Sequence, residues 1–227
     1  VVGPVLGGYL QFYFGWKAGF WFFSISSLVI LVAIFFIVPE THFKRSSLAL
    51  SVIKSNLKEV LTHRIFMAMV LTMGIVYSLI ISFSTLGPFL IQDRFHHTPV
   101  FFGHFALIMG LIFLASTFVC RYLLKRFSVN KMFFIMINVF FLVSIILIPI
   151  SYFLSKSLIL VAIATGLMFF LTGFIFPLAM GKGISLFRHI SGTATAVMYL
   201  INILMTSLSA FIVGFIETTS AIELVWI

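Results

Sequence analysis

Apolar residues run along the chain in blocks of about twenty, each closed by a short polar gap. Ala18 to Val38, Ile65 to Ile91, Val100 to Leu124, Met132 to Leu154, Leu158 to Met180 and Gly192 to Ile216 are each long enough to cross the hydrocarbon core of a bilayer. Ahead of them, Val1 to Phe14 is apolar and glycine-rich but too short to span. Gly15-Trp16-Lys17 then makes an interfacial turn, since Trp and Lys favour the headgroup zone. At the far end, Glu217 to Ile227 is a loop and the opening of a further helix. The pattern predicts six full spans and two stubs.

The gaps carry their own pattern. Pro39-Glu40 stops the first span, and His42 to Arg64 is the longest polar stretch. Within it Leu50, Ile53, Leu57, Val60 and Leu61 recur at helical spacing, with Lys54, Lys58 and Glu59 on other faces, which predicts an amphipathic helix on the membrane surface. Asp93, Arg94, His96, His97 and Pro99 fall in a small loop, Ser155-Lys156-Ser157 in a tight turn, and Gly181 to Ser191 in a longer loop. One alternate set of loops holds Lys44, Arg45, Lys54, Lys58, Arg64, Arg121, Lys125, Arg126, Lys131, Lys182 and Arg188. The other set holds only Lys17, Arg94 and Lys156. Such an imbalance places the first set in the cytoplasm, because basic residues near span ends are retained there.

Lipid also dictates the secondary structure. Every backbone polar group in hydrocarbon has to be satisfied within its own segment, so apolar runs of this length are helices. Barrel strands would instead alternate over about ten residues. The fold class is therefore all-α, a polytopic membrane helix bundle. Composition agrees: 62% of the 227 residues are hydrophobic and 8% charged, against about 45–50% and about 25% in soluble domains. The net charge of +9 does not point to nucleic acid, because the basic residues lie in short gaps rather than on one soluble face. A single cysteine, Cys120, leaves no intramolecular disulfide. Zinc, P-loop and dinucleotide spacings are missing, His96-His97 finds no further metal ligand nearby, and no nucleophile–base pair is visible. Neither an enzyme nor a bound cofactor is expected. The chain has no starting Met and Val1 opens inside an apolar run, so a longer protein is expected around it.

Few polar groups lie at depth. Glu40, Glu59, Asp93, Glu217 and Glu223 are all in loops or at span ends, and His104 lies about a turn into its span. Thr195, Tyr199, Asn202, Thr206 and Ser209 form one stripe of the last full span. Ser78, Ser82 and Thr85 form another on the second, with Tyr77 adjacent. Lipid would leave such groups unpaired, so they either line a cavity or bond between helices. Tyr77, Ser78, Ser82, Tyr199, Asn202 and Thr206 are the candidate cargo-binding residues. Thirty Phe and ten Met would suit a greasy, variable ligand where they reach that cavity. Gly166 and Gly173 in the fifth full span read as close helix packing, and Pro177 as a bend.

Gly3-Pro4-Val5-Leu6-Gly7-Gly8 resembles the second half of the antiporter motif of major facilitator superfamily exporters, G-P-x-x-G-G at the end of their fifth helix. Gly15-Trp16-Lys17 with Phe20-Trp21-Phe22 is similar to the start of the sixth helix, and Pro39-Glu40-Thr41 to its end. Leu86-Gly87-Pro88-Phe89, Phe102-Gly103, Asn130-Lys131-Met132-Phe133 and Phe187-Arg188-His189-Ile190-Ser191-Gly192-Thr193-Ala194 resemble the Bcr/CflA drug-resistance branch, where Arg188 stands in place of a proline. Arg121, Lys125, Arg126 and Lys131 look like the weaker second copy of the superfamily's cytoplasmic loop signature, with Ser128 where glycine is usual.

The resemblance implies a twelve-helix bacterial inner-membrane transporter with the major facilitator fold. Residues 1–38 would be the end of the fifth and the whole sixth helix, 39–64 a cytoplasmic linker with its amphipathic helix, and 65–227 the seventh to eleventh helices and the start of the twelfth. It implies proton-coupled export of hydrophobic or amphipathic drugs by a monomer, driven by the proton gradient, as two halves rock about a midplane site. Gly3, Pro4, Gly7 and Gly8 would form a tight, bendable seam between the halves. The coupling carboxylate would lie in the amino-terminal half of the same chain, which supplies the facing wall. Export or facilitated passage of metabolites, sugars or amino acids stays open as an alternative, as does a transport-inactive fragment.

Overall fold

The computed structural model describes residues 2–39, 49–154 and 157–215. The expected turn at Ser155-Lys156, the loop from Glu40 to Leu48 and the stub after Phe215 lie outside these residues. Among the described residues all regular structure is helical: α1 Gly3–Phe14, α2 Lys17–Ile37, α3 Leu50–Thr62, α4 Arg64–Phe89, α5 Pro99–Leu123, α6 Val129–Leu154, α7 Leu158–Ser185 and α8 Ser191–Gly214. Six helical stretches are long and apolar enough to cross a membrane, and they coincide with the six spans read from the pattern.

Local chemistry sets the ends. The Phe66 N–H donates to the His63 ring at 3.2 Å and so caps α4. The Phe101 N–H donates to the Thr98 hydroxyl at 3.2 Å, with Pro99 opening α5 behind it. Gly15 turns the chain between α1 and α2 at φ +76°, a backbone state that favours glycine. Near the end of α4, Pro88 lacks an N–H, and the chain relaxes into a single π-helical turn over Leu90–Arg94.

Two ends fall deeper than the polar pattern implies. α5 closes at Leu123, within a residue of the expected Leu124 and with Arg121 in its last turn, but α6 opens at Val129 rather than Met132, so Lys131 lies in its first turn. The stretch expected as a loop from Gly181 continues α7 to Ser185, followed by a 3₁₀ turn over Arg188–Ile190. Packing holds that extra turn helical: a Cβ on Gly183 would lie 2.6 Å from Met198 Cε of α8. Lys182 favours the helix carboxyl end electrostatically, and its ammonium also donates to Asn130 Oδ1.

α7 is the hub, packing against α4, α5 and α6, while α8 lies mainly along α4 and α1 along α5. One apolar cluster joins Val60, Phe66, Val70, Met73, Ala179, Phe187, Ala194 and Met198 at the end carrying the basic loops. Another, near the opposite end, gathers Phe83, Ile91, Phe105, Met109 and Phe169. α2 presents apolar side chains with none of its residues buried, as lipid or a covering helix requires. The amphipathic helix forms as α3, but it does not float free. Val60 is fully buried in the first cluster, and Glu59 Oε1 sits 3.2 Å from His189 Nε2.

Candidate functional site

Two features gather residues singled out in the sequence: a glycine-lined helix crossing and a polar seam inside the bundle.

The crossing joins α1 to α5 at the end of the bundle opposite the basic loops. A Cβ on Gly8 would lie 2.9 Å from the Pro99 carbonyl oxygen and 3.3 Å from Val100 Cα. In return, a Cβ on Gly103 would lie 2.8 Å from the Pro4 carbonyl oxygen and 3.1 Å from Val5 Cα. Each glycine thus faces the other helix's backbone, an approach no side chain permits. Of the motif read from the sequence, Gly8 and Pro4 lie at this contact, whereas Gly3 and Gly7 face open space. Beside it His104, whose Nδ1–H donates to the Val100 carbonyl at 2.8 Å, meets Tyr9 edge to face at 5.8 Å. The histidine thus has a backbone partner on its own helix.

The polar seam runs between α4 and α8. Ser82 and Ser209 hydroxyls bond across it at 2.9 Å, both half or fully shielded. Thr206 is buried and donates to its own helix at Asn202 O, 3.0 Å away. Ser78 likewise donates to Gly74 O at 2.9 Å, so its hydroxyl is satisfied locally. Asn202, midway along α8, is 5% exposed, and its amide nitrogen has no hydrogen-bond partner. It is the single buried side-chain N or O in that state among the described residues. A buried donor left unpaired costs about 1–3 kcal/mol, so its retention asks for an acceptor that arrives from elsewhere.

Tyr77 is half-buried and its ring lies 5.0 Å from that of Phe176 on α7, while Tyr199 is 43% exposed at the edge of the seam. The expected stripe of α8 is therefore split: Asn202 and Thr206 face inward and Tyr199 outward. The basic residues Arg121, Lys125, Arg126 and Lys131 are all exposed at one end. The Lys125 ammonium and Arg126 guanidinium lie over the Tyr122 ring, and the Lys131 ammonium over Phe127.

Sequence reasoning passed over Thr172, fully buried, whose hydroxyl donates to the Val76 carbonyl of α4 at 3.4 Å. It also passed over Ser116 and Thr117, where Thr117 Oγ1 donates to Gly173 O at 3.3 Å. The adjacency of Thr172 to Gly173 was the available signal, because a small residue beside a hydroxyl marks a close helix crossing.

Comparison with known proteins fits this architecture. The Major Facilitator Superfamily profile matches residues 1–212. A bicyclomycin resistance protein homolog of Haemophilus influenzae is 41% identical over 58 residues, 25% of this chain and 15% of the relative. An uncharacterized transporter of Rickettsia felis is 26% identical over 57% of this chain and 32% of its own length. One of Rickettsia bellii is 27% identical over 55% and 31%. The chain thus matches a third or less of the length of each of these relatives. A multi-pass helical bundle whose profile match covers nearly the whole chain has one placement: the chain belongs to the Major Facilitator Superfamily of membrane transporters.

Proposed function

We propose that the complete protein exports hydrophobic or amphipathic small molecules by proton antiport across a bacterial inner membrane, with this chain supplying one wall of an alternating-access site. Residues 65–215 belong on this reading to the carboxy-terminal bundle, and residues 2–38 to helices five and six. The observation that carries the reading is Asn202: an unpartnered amide buried midway along α8, in spans that hold no carboxylate at depth. An uncharged cargo with a hydrogen-bond acceptor suits that site, and a charged one would lack a counter-ion. The stretch shared with the bicyclomycin resistance homolog supports drug export in particular. Proton coupling then draws on a carboxylate from the facing half, and no bound cofactor is needed.

Expression of the complete transporter in an efflux-deficient host should raise tolerance to at least one antibiotic or dye, and an uncoupler should remove the gain. Unchanged tolerance across a broad panel defeats the proposal.

Asn202→Leu separates binding from folding. Leucine matches the amide in size and removes the unpaired donor, so thermal stability should hold or rise, by up to about 1–3 kcal/mol. Export of the same compound should fall at least severalfold. Unaltered binding and export by the purified variant would remove Asn202 from the site.

A further inference from the structure

α3 has an apolar face that the described residues leave exposed to differing degrees. At 100° per residue, Ile53, Leu57, Leu50 and Leu61 fall within an arc of about 80°, and Lys54 and Lys58 continue directly from its edge. The four apolar side chains are 37%, 36%, 83% and 47% exposed. On the flank of that arc Val60 is fully buried against α4 and α8 residues, and on the far side Glu59 meets His189. The helix is thus pinned to the bundle along one side and left open along another.

Charge decides what fits the open side. Among the described residues Glu59 is the one acid at the basic end, and it faces His189. Lys54 and Lys58 have no acidic partner among the described residues. A greasy arc edged by two adjacent ammonium groups matches an acyl-chain surface topped by anionic headgroups: the leucines enter the boundary, and the lysines reach up to phosphate. A protein wall would cover the leucines equally well but would have to bring carboxylates for both lysines.

We propose that α3 is an interfacial anchor that binds anionic phospholipid of the cytoplasmic leaflet through Lys54 and Lys58, with Leu50, Ile53, Leu57 and Leu61 set into the acyl boundary. The anchor is tied to the transport bundle through Val60 and the Glu59–His189 contact, so it fixes the depth at which α4 and α8 begin.

The test uses the complete transporter in a cysteine-depleted background, with a fluorophore on Leu57→Cys, in mixed vesicles of phosphatidylcholine and phosphatidylglycerol. Each lipid is brominated in turn. Bromine on phosphatidylglycerol should quench the probe at least about threefold more than bromine on phosphatidylcholine at equal mole fraction, since each lysine near a surface favours anionic lipid. Lys54→Gln with Lys58→Gln should bring the two to equality while the probe stays lipid-accessible. Lys131→Gln, at the same end but on α6, should change nothing. A probe shielded from both brominated lipids would show that the facing half of the protein covers α3, and the proposal would fall. A phosphatidylglycerol preference that survives the double substitution would overturn it as well.

Discussion

Gly103→Leu is expected to lower export at least tenfold while the protein still reaches the membrane. The reason is the identity of the atoms it would strike. At Gly103 even a bare Cβ would come within 2.8 Å of the Pro4 carbonyl oxygen and 3.1 Å of Val5 Cα, and neither can rotate away as a side-chain tip can. α1 and α5 would have to move apart along their shared length. Overpacking of this kind costs about 1–3 kcal/mol, and a shift of about 1.4 kcal/mol between two conformations is already a factor of ten in their ratio. The penalty falls on states in which the crossing is closed, so the turnover cycle suffers more than insertion does. Gly7→Ala supplies the contrast, because a Cβ on Gly7 meets no described residue within 4 Å, and its variant should export within about twofold of the parent. Equal behaviour of the two variants in a vesicle efflux assay would remove the crossing from the mechanism.

Gly173→Ala should destabilise the purified protein by about 1–3 kcal/mol, read as a lowered thermal midpoint. Its Cβ would overlap Ser116 Oγ and lie 2.6 Å from the Phe113 carbonyl oxygen of α5. Ser116 can swing aside, although it would surrender the bond its hydroxyl donates to Phe113 O at 2.7 Å. The Phe113 backbone cannot. The same displacement would stretch the bond from Thr117 to Gly173 O. Gly181→Ala on the same helix meets nothing within 4 Å, and alanine is the better helix former by about 1 kcal/mol, so that variant should be neutral or stabilised. Equal behaviour of the two variants would set the α5–α7 contact aside as the cause, since helix propensity favours alanine at both sites.

The spans were legible because each is set by one strong term, the exclusion of unpaired backbone from hydrocarbon. That term needs no knowledge of neighbours. Their ends were less so. The polar letters of Lys131 and Lys182 set them outside the spans, yet both sit in terminal helical turns, where long cationic side chains reach water while their backbone stays helical. Packing was readable only in part. Gly8 and Gly173 are close-contact positions as their motif and setting suggested, but Gly3 and Gly7 carry the same letter and face open space. The difference lies in which side of α1 meets α5, and no one-helix pattern contains that. Asn202 emerged from the spacing of α8, whereas its lack of a partner depends on what packs around that helix. The Thr172 bond to Val76 O shows the same limit, since the neighbouring Gly173 marks a close crossing without saying which helix receives the hydroxyl.

The tightest glycine contacts in this bundle are of two kinds. Gly8, Gly103 and Gly173 meet backbone, while Gly74 and Gly183 meet the thioether arms of Met205 and Met198 on α8. A methionine arm bends about three torsions at little cost; a peptide carbonyl does not yield. Internal flexing should therefore concentrate where α8 slides over α4 and α7. The α5–α7 pair should move as one block, and α1 meets α5 backbone to backbone at Gly8 and Gly103, with the Tyr9–His104 ring contact alongside.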